Sequence, residues 1–176
     1  MVPFTMSENA ADLSTKFSPE EWNLIESAPF LAGLSVALSD LRKGLFGAIK
    51  ESLVPFEAIT EAGTGASNQV VASVVASFKE MAAKHERLQS PVSVAGKKPE
   101  EVKTEVAAQL AKIPGVLQGK VPPDQAEGYK KWLLGIAVKV ANAATEGGFL
   151  GFGGERVSPA ETAAINELAS SLGVKP

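Results

Sequence analysis

The chain contains two versions of one pattern, and that duplication restricts the folds open to it. FLAGLSVALSD, Phe30 to Asp40, lies over WLLGIAVKVAN, Trp132 to Asn142. Gly33 then falls on Gly135, Val36 on Val138 and Asp40 on Asn142. After a two-residue insertion in the second copy, GLFGAIKESLVPFEAI (Gly44 to Ile59) lies over GFLGFGGERVSPAETA (Gly148 to Ala163). Five identities follow: Gly44 with Gly148, Gly47 with Gly151, Glu51 with Glu155, Pro55 with Pro159 and Glu57 with Glu161. Each copy reads as an apolar helix, a Gly-broken turn and a Pro-started helix. The copies span about residues 30–62 and 132–172, and two such hairpins pack naturally about a pseudo-twofold axis. Gly33 and Gly135 fall inside helices, where glycine costs about 1 kcal/mol relative to alanine. Their matched positions predict a close helix–helix crossing.

The remaining signals are helical as well. In FSPEEW, Ser18 is an N-cap, Pro19 the first helical residue and Glu21 the partner of a capping box. Phe17 and Trp22 have the spacing of a hydrophobic staple. Leu24, Ala28, Leu31, Leu34, Ser35 and Leu38 form an inner stripe, with the helix ending near Asp40. Pro29 is expected to kink or split this helix near Ala28. A short helix is expected over about 55–62. Val70, Val71, Val74, Val75, Phe78, Met81, Ala82 and His85 give the clearest 3.6-residue stripe. Pro99-Glu100-Glu101 starts another helix, with Val102, Val106, Leu110 and Ile113 facing inward. IPGVLQGKVPP reads as a loop. A helix opens at Asp124 and runs to about Ala144. VSPAE repeats the capping signature, and the last helix stops at Gly173. The expectation is an all-α fold of about six helices, forming a single domain over 17–176 behind a polar tail over 1–16.

Composition removes several functions. The chain has no cysteine, which excludes disulfides, thiol nucleophiles, zinc–thiolate sites and iron–sulfur clusters. Net charge is −3 and no Lys/Arg block exceeds a pair, so nucleic acid is not an expected partner. No run of about 18 apolar residues exists, so no transmembrane segment is expected. The N-terminus lacks the pattern of a signal peptide, and a cytoplasmic protein is expected. His85 is the one histidine, read as a partly buried residue at a helix C-terminus. No Glu-x-x-His motif for a di-iron site and no Gly-x-Ser-x-Gly elbow is present. No enzyme activity is expected.

Two features carry functional readings. The first is the repeated carboxylates. Asp40 and Asn142 end the first helix of each copy, Glu51 and Glu155 lie in the turns, and Glu57 and Glu161 enter the next helices. Such oxygen ligands suit Ca²⁺ or Mg²⁺. The competing reading makes Glu57 and Glu161 helix-terminus stabilisers and leaves Glu51 and Glu155 solvated. The stretch VANAATEGGFLGFGGERVSPAETAAINELASSLG resembles the helix–turn–helix of the TerB-like (tellurite-resistance) superfamily: an Ala-rich helix, an acidic-Gly turn, then Ser-x-x-Glu. Residues 30–62 carry the resemblance more weakly. It implies an all-helical bacterial-type binding protein associated with stress response, whose acidic residues take a divalent metal. Here the turn acid is Glu146 and the helix acid Glu161. The turn acid is Glu instead of Asp, the turn is longer, and the first copy lacks an Asp-Gly turn.

The second feature is EGGFLGFGGER, whose Phe149, Leu150 and Phe152 sit among glycines. Its spacing, Gly148-x-x-Gly151-x-Gly153 after a helix, does not fit a dinucleotide fingerprint. Of the flanking Lys/Arg and Trp/Tyr of a membrane hairpin it has only Arg156. Two readings stand: a joint that plugs its apolar residues into the core, or an exposed surface over 147–154 for self-association or a protein partner.

Overall fold

The computed structural model describes residues 13–39, 67–146 and 157–176, with backbone alone at 144–146. Among these residues every regular element is helical. They are α1 (Pro19–Ala37), α2 (Gln69–Ala83), α3 (Pro99–Leu110), α4 (Ile113–Leu117), α5 (Pro123–Glu146) and α6 (Pro159–Leu172). Five are full helices and α4 is a single turn. No described helix is long and apolar enough to cross a membrane.

The caps explain where the helices begin. Ser18 Oγ accepts the Glu21 N–H at 3.2 Å, and Glu21 returns a carboxylate oxygen to the Ser18 N–H at 2.8 Å. Phe17 meets Trp22 with ring centroids 5.7 Å apart, closing the expected staple. The same box recurs at Ser158 and Glu161, with the same two distances. At α3 only half of a box forms, the Glu101 carboxylate accepting the Lys98 N–H at 2.7 Å. Asn68 caps α2 by accepting from Val70 N–H and Val71 N–H. Gly173, at φ 68°, ends α6 in the left-handed region, and buried Val174 follows it.

α1 is the core of the molecule. Eleven of its nineteen residues are buried, including Ile25, Ala32 and Val36 outside the expected stripe. It packs most extensively on α5, and also on α3, α6, α2 and α4. A helix enclosed all round needs no polar face, and here small residues (Ser27, Ala28, Ala32, Gly33) let neighbours approach on every side. Around it, α2 contributes Val70, Val74 and Phe78, α3 contributes Val102, Val106 and Leu110, and α5 contributes Tyr129, Leu133, Ala137 and Val140.

Pro29 does not split or end the helix; α1 is continuous through it. A proline at 29 removes the N–H that the Ile25 carbonyl would accept. The hydroxyl of Tyr129, on α5, replaces that donor at 2.6 Å. Tyr129 is fully enclosed, and burial, followed by the nearby Glu26 carboxylate, raises its phenol well above the usual tyrosine range. Glu26 itself accepts from the Ser77 hydroxyl, tying α1 to α2 beside the Phe30–Phe78 contact.

Four further expectations change. IPGVLQGKVPP is not a plain loop: its first residues form α4, and Ile113 and Leu117 are sunk in the core. The tail does not reach residue 16. Leu13 is buried, and Lys16 N–H and Phe17 N–H close a turn on Leu13 and Ser14. Gly135 marks no close crossing, since it is exposed and a Cβ there would meet nothing within 4 Å. His85 is exposed and stands just past the end of α2 at φ 55°. The Glu86 N–H reaches Met81 O and the His85 N–H reaches Ala82 O, which is a Schellman ending built on histidine where glycine is usual.

The two repeat copies do not share environments. Gly33 and Val36 are buried on α1, whereas their counterparts Gly135 and Val138 face solvent on α5. One helix is enclosed and the other amphipathic, so equal sequence spacing serves unequal packing. The short helix expected over 55–62 lies outside the described residues.

Candidate functional site

Of the predicted metal-ligating residues, Glu161 has the clearest surroundings. It is 8% exposed, and one carboxylate oxygen accepts the Ser158 N–H at the start of α6. That bond and the positive end of the helix hold the charge in place, as the capping reading requires. Asn142 is exposed on α5. Glu146 is the last residue of α5, four positions on and therefore on the same side of the helix. Asp40, Glu51, Glu57 and Glu155 lie outside the described residues, as do Phe149, Leu150 and Phe152. Among the described residues, no group of three or more His, Asp or Glu side chains is placed to hold a metal ion.

The outer side of α5 leads from the body of the protein to residue 147. Lys131, Gly135, Val138 and Asn142 are all exposed and recur at helical spacing. Val138 is the exposed large hydrophobic residue of the described chain, at 37%.

At the other end of α5, an open cleft of about 420 Å³ separates α4 from the first turns of α5. Leu117, Val121, Pro114, Pro123 and Ala126 make it largely apolar, and Glu127 and Lys130 stand at its edge. Sequence reasoning missed this feature because it read the whole of 113–123 as loop. The signal was present: Ile113 and Leu117 are one helical turn apart, and Pro114 suits a first turn. Glu127 accepts from both Lys131, at 3.3 Å, and Lys130, at 3.4 Å. The Lys131 bond is the main cause that holds the Glu127 carboxyl below its usual range.

The other end of this region is pinned by two joints. Lys120 follows α4, pairs with the Glu21 carboxylate and places its ammonium 5.4 Å from the Phe17 ring centre. The Glu21 carboxyl is lowered chiefly by Lys120 and then by the Ser18 N–H. Asn68, the cap of α2, donates to Gln125 O at 2.8 Å, while Gln125 Oε1 accepts the Gln69 N–H at 2.6 Å. The starts of α2 and α5 are thus fastened together.

Comparison of the chain with models of known families, with characterised proteins and with solved structures returned no match.

Proposed function

We propose that this chain is a non-enzymatic helical binding protein of the cytoplasm that engages a protein partner through the Gly/Phe segment 147–154 and the outer face of α5. The observation that carries this reading is the exposed Val138, on the stripe that runs from Gly135 past Asn142 toward that segment. An apolar side chain left in water, on the helix that precedes the glycine-spaced run of Phe149, Leu150 and Phe152 in the sequence, fits a contact surface better than a solvated helix face. A second copy of the same chain is the first partner to test, because a homotypic contact needs only one such surface.

The experiment is light scattering across a concentration series, with wild type, Val138→Asp and Phe152→Asp. A mass that rises with concentration in wild type and stays monomeric in both variants supports self-association. A wild-type monomer that captures one specific protein, with capture lost in both variants, supports a different partner. A monomer whose captured proteins are the same in all three chains overturns the reading.

The divalent-metal and stress-response reading rests on the TerB-like resemblance. The placement of Asn142 and Glu146 on one side of α5 favours it, and the engagement of Glu161 in its cap weighs against it. Calorimetric titration with Ca²⁺, Mg²⁺, Mn²⁺ and Zn²⁺ tests it. Heat that disappears in Glu146→Gln supports it, and no heat with an unchanged melting temperature removes it.

A further inference from the structure

The cleft between α4 and α5 combines an apolar bed with a lysine whose acid partner is shared. Leu117 and Val121 are nearly enclosed at its base, and Pro114, Pro123 and Ala126 extend the apolar surface. Its volume, about 420 Å³, falls within the usual range of small-molecule sites. At the lining glycines Gly115 and Gly119, a Cβ would meet nothing within 4 Å. Glu127 is the one acid among the lining residues, and it is shared by two ammonium groups. Lys131 is well exposed and solvated, whereas the Lys130 side chain is only 15% exposed. The Lys130 side chain is therefore largely covered, and its ammonium shares its counter-ion, 3.4 Å away, with Lys131. An ammonium held beside an apolar bed with a shared partner favours an added anion.

We propose that this cleft binds an amphiphilic carboxylate, with its alkyl chain on Pro114, Pro123 and Ala126 and its carboxylate on Lys130 Nζ. Each part of the ligand answers one feature of the site. The apolar bed selects a hydrocarbon chain, which gains by leaving water. Lys130, whose acid partner Glu127 is also paired with Lys131, selects an anionic head over a neutral or cationic one. The proposal is independent of the partner surface at the far end of α5.

The test is a titration of isotopically labelled protein with decanoate below its micellar concentration, followed by amide NMR shifts. Saturable shifts at Gly119, Ala126 and Lys130, with a dissociation constant of about 1 mM or tighter, are expected. Lys130→Gln should weaken binding about tenfold, the scale of one charge-assisted hydrogen bond. Decyltrimethylammonium, with the same chain and the opposite charge, should bind at least as weakly to wild type. Ala126→Leu, which fills the bed and leaves the lysine in place, should also reduce binding. Lys139→Gln, an exposed lysine outside the cleft, should change nothing. The proposal fails if decanoate shifts do not saturate, if they scatter over the surface, or if Lys130→Gln binds as tightly as wild type.

Discussion

The hydrogen bond from Tyr129 to Ile25 gives the sharpest test of how α1 tolerates its internal proline. In Tyr129→Phe the aromatic ring stays and only the hydroxyl goes. The Ile25 carbonyl then has neither the Pro29 N–H, which does not exist, nor the phenol. It is buried, since Ile25 is 0% exposed and Tyr129 is 0% exposed. Leaving a buried acceptor unpaired costs about 1–3 kcal/mol. For a chain of this size that lowers the melting temperature by about 2–4 °C per kcal/mol. The control is Pro29→Ala, which restores an N–H at the position that faces Ile25 O. In that background the carbonyl keeps a partner after Tyr129→Phe, so the loss should shrink to a few tenths of a kcal/mol. Urea denaturation of the four proteins measures the cycle, with the m-value unchanged if all remain two-state. A coupling energy of about 1–2 kcal/mol is expected. An equal cost of Tyr129→Phe in both backgrounds would refute the argument, because the hydroxyl would then matter for something other than the missing helical donor.

Four other outcomes follow from separate features. Gly135→Ala should stabilise by about 1 kcal/mol, since the position is helical, exposed and open. Gly128→Ala should not, because its Cβ would stand 2.6 Å from Asn68 Nδ2, and Asn68 is held by the bonds that cap α2; thermal melts of the two variants distinguish them. His85→Gly should stabilise by about 1 kcal/mol, removing the strain of a side chain at φ 55° that the Schellman ending imposes. Stability should also fall in alkali. The Tyr129 phenol is raised in the folded state above the ordinary value of 10.0, so the folded chain holds a proton that the unfolded chain releases. Its contribution is complete below pH 10 and is lost above it at up to about 1.4 kcal/mol per pH unit, a slope that denaturation at pH 9 to 11 would reveal and Tyr129→Phe would remove.

The parts of the fold that were legible are the local ones. Ser18 with Glu21, Phe17 with Trp22, and Ser158 with Glu161 act within five residues of one another, so spacing alone predicts them. The valine stripe of α2 is one-sided and reads directly as a buried face. α1 was harder because it is enclosed on every side, and enclosure erases the alternation of polar and apolar faces. That α1 runs unbroken through Pro29 was not legible, because the replacement donor, Tyr129, lies a hundred residues away in the chain. The repeat shows the limit of spacing as evidence: Val36 and Val138 occupy matching positions in opposite environments. For the candidate site, the cap role of Glu161 was readable and its burial was not. The cleft stayed hidden because it is assembled from α4, a helix too short to show periodicity, and the first turns of α5. Phe149, Leu150 and Phe152 carry the functional reading from sequence, and Val138 adds to it from structure.

The order of the chain also bears on how it comes to fold. α1 is synthesised first yet is finished last. Its cap begins with Ser18 and Glu21, but Glu21 takes its second partner from Lys120, and the open carbonyl of Ile25 waits for Tyr129. Before residue 129 has been made, that carbonyl lacks the phenol that pairs it in the folded chain. α1 also lacks its most extensive packing partner until α5 has been made. Its start is set locally by the Ser18–Glu21 cap, and its middle is completed by a helix that follows about a hundred residues later.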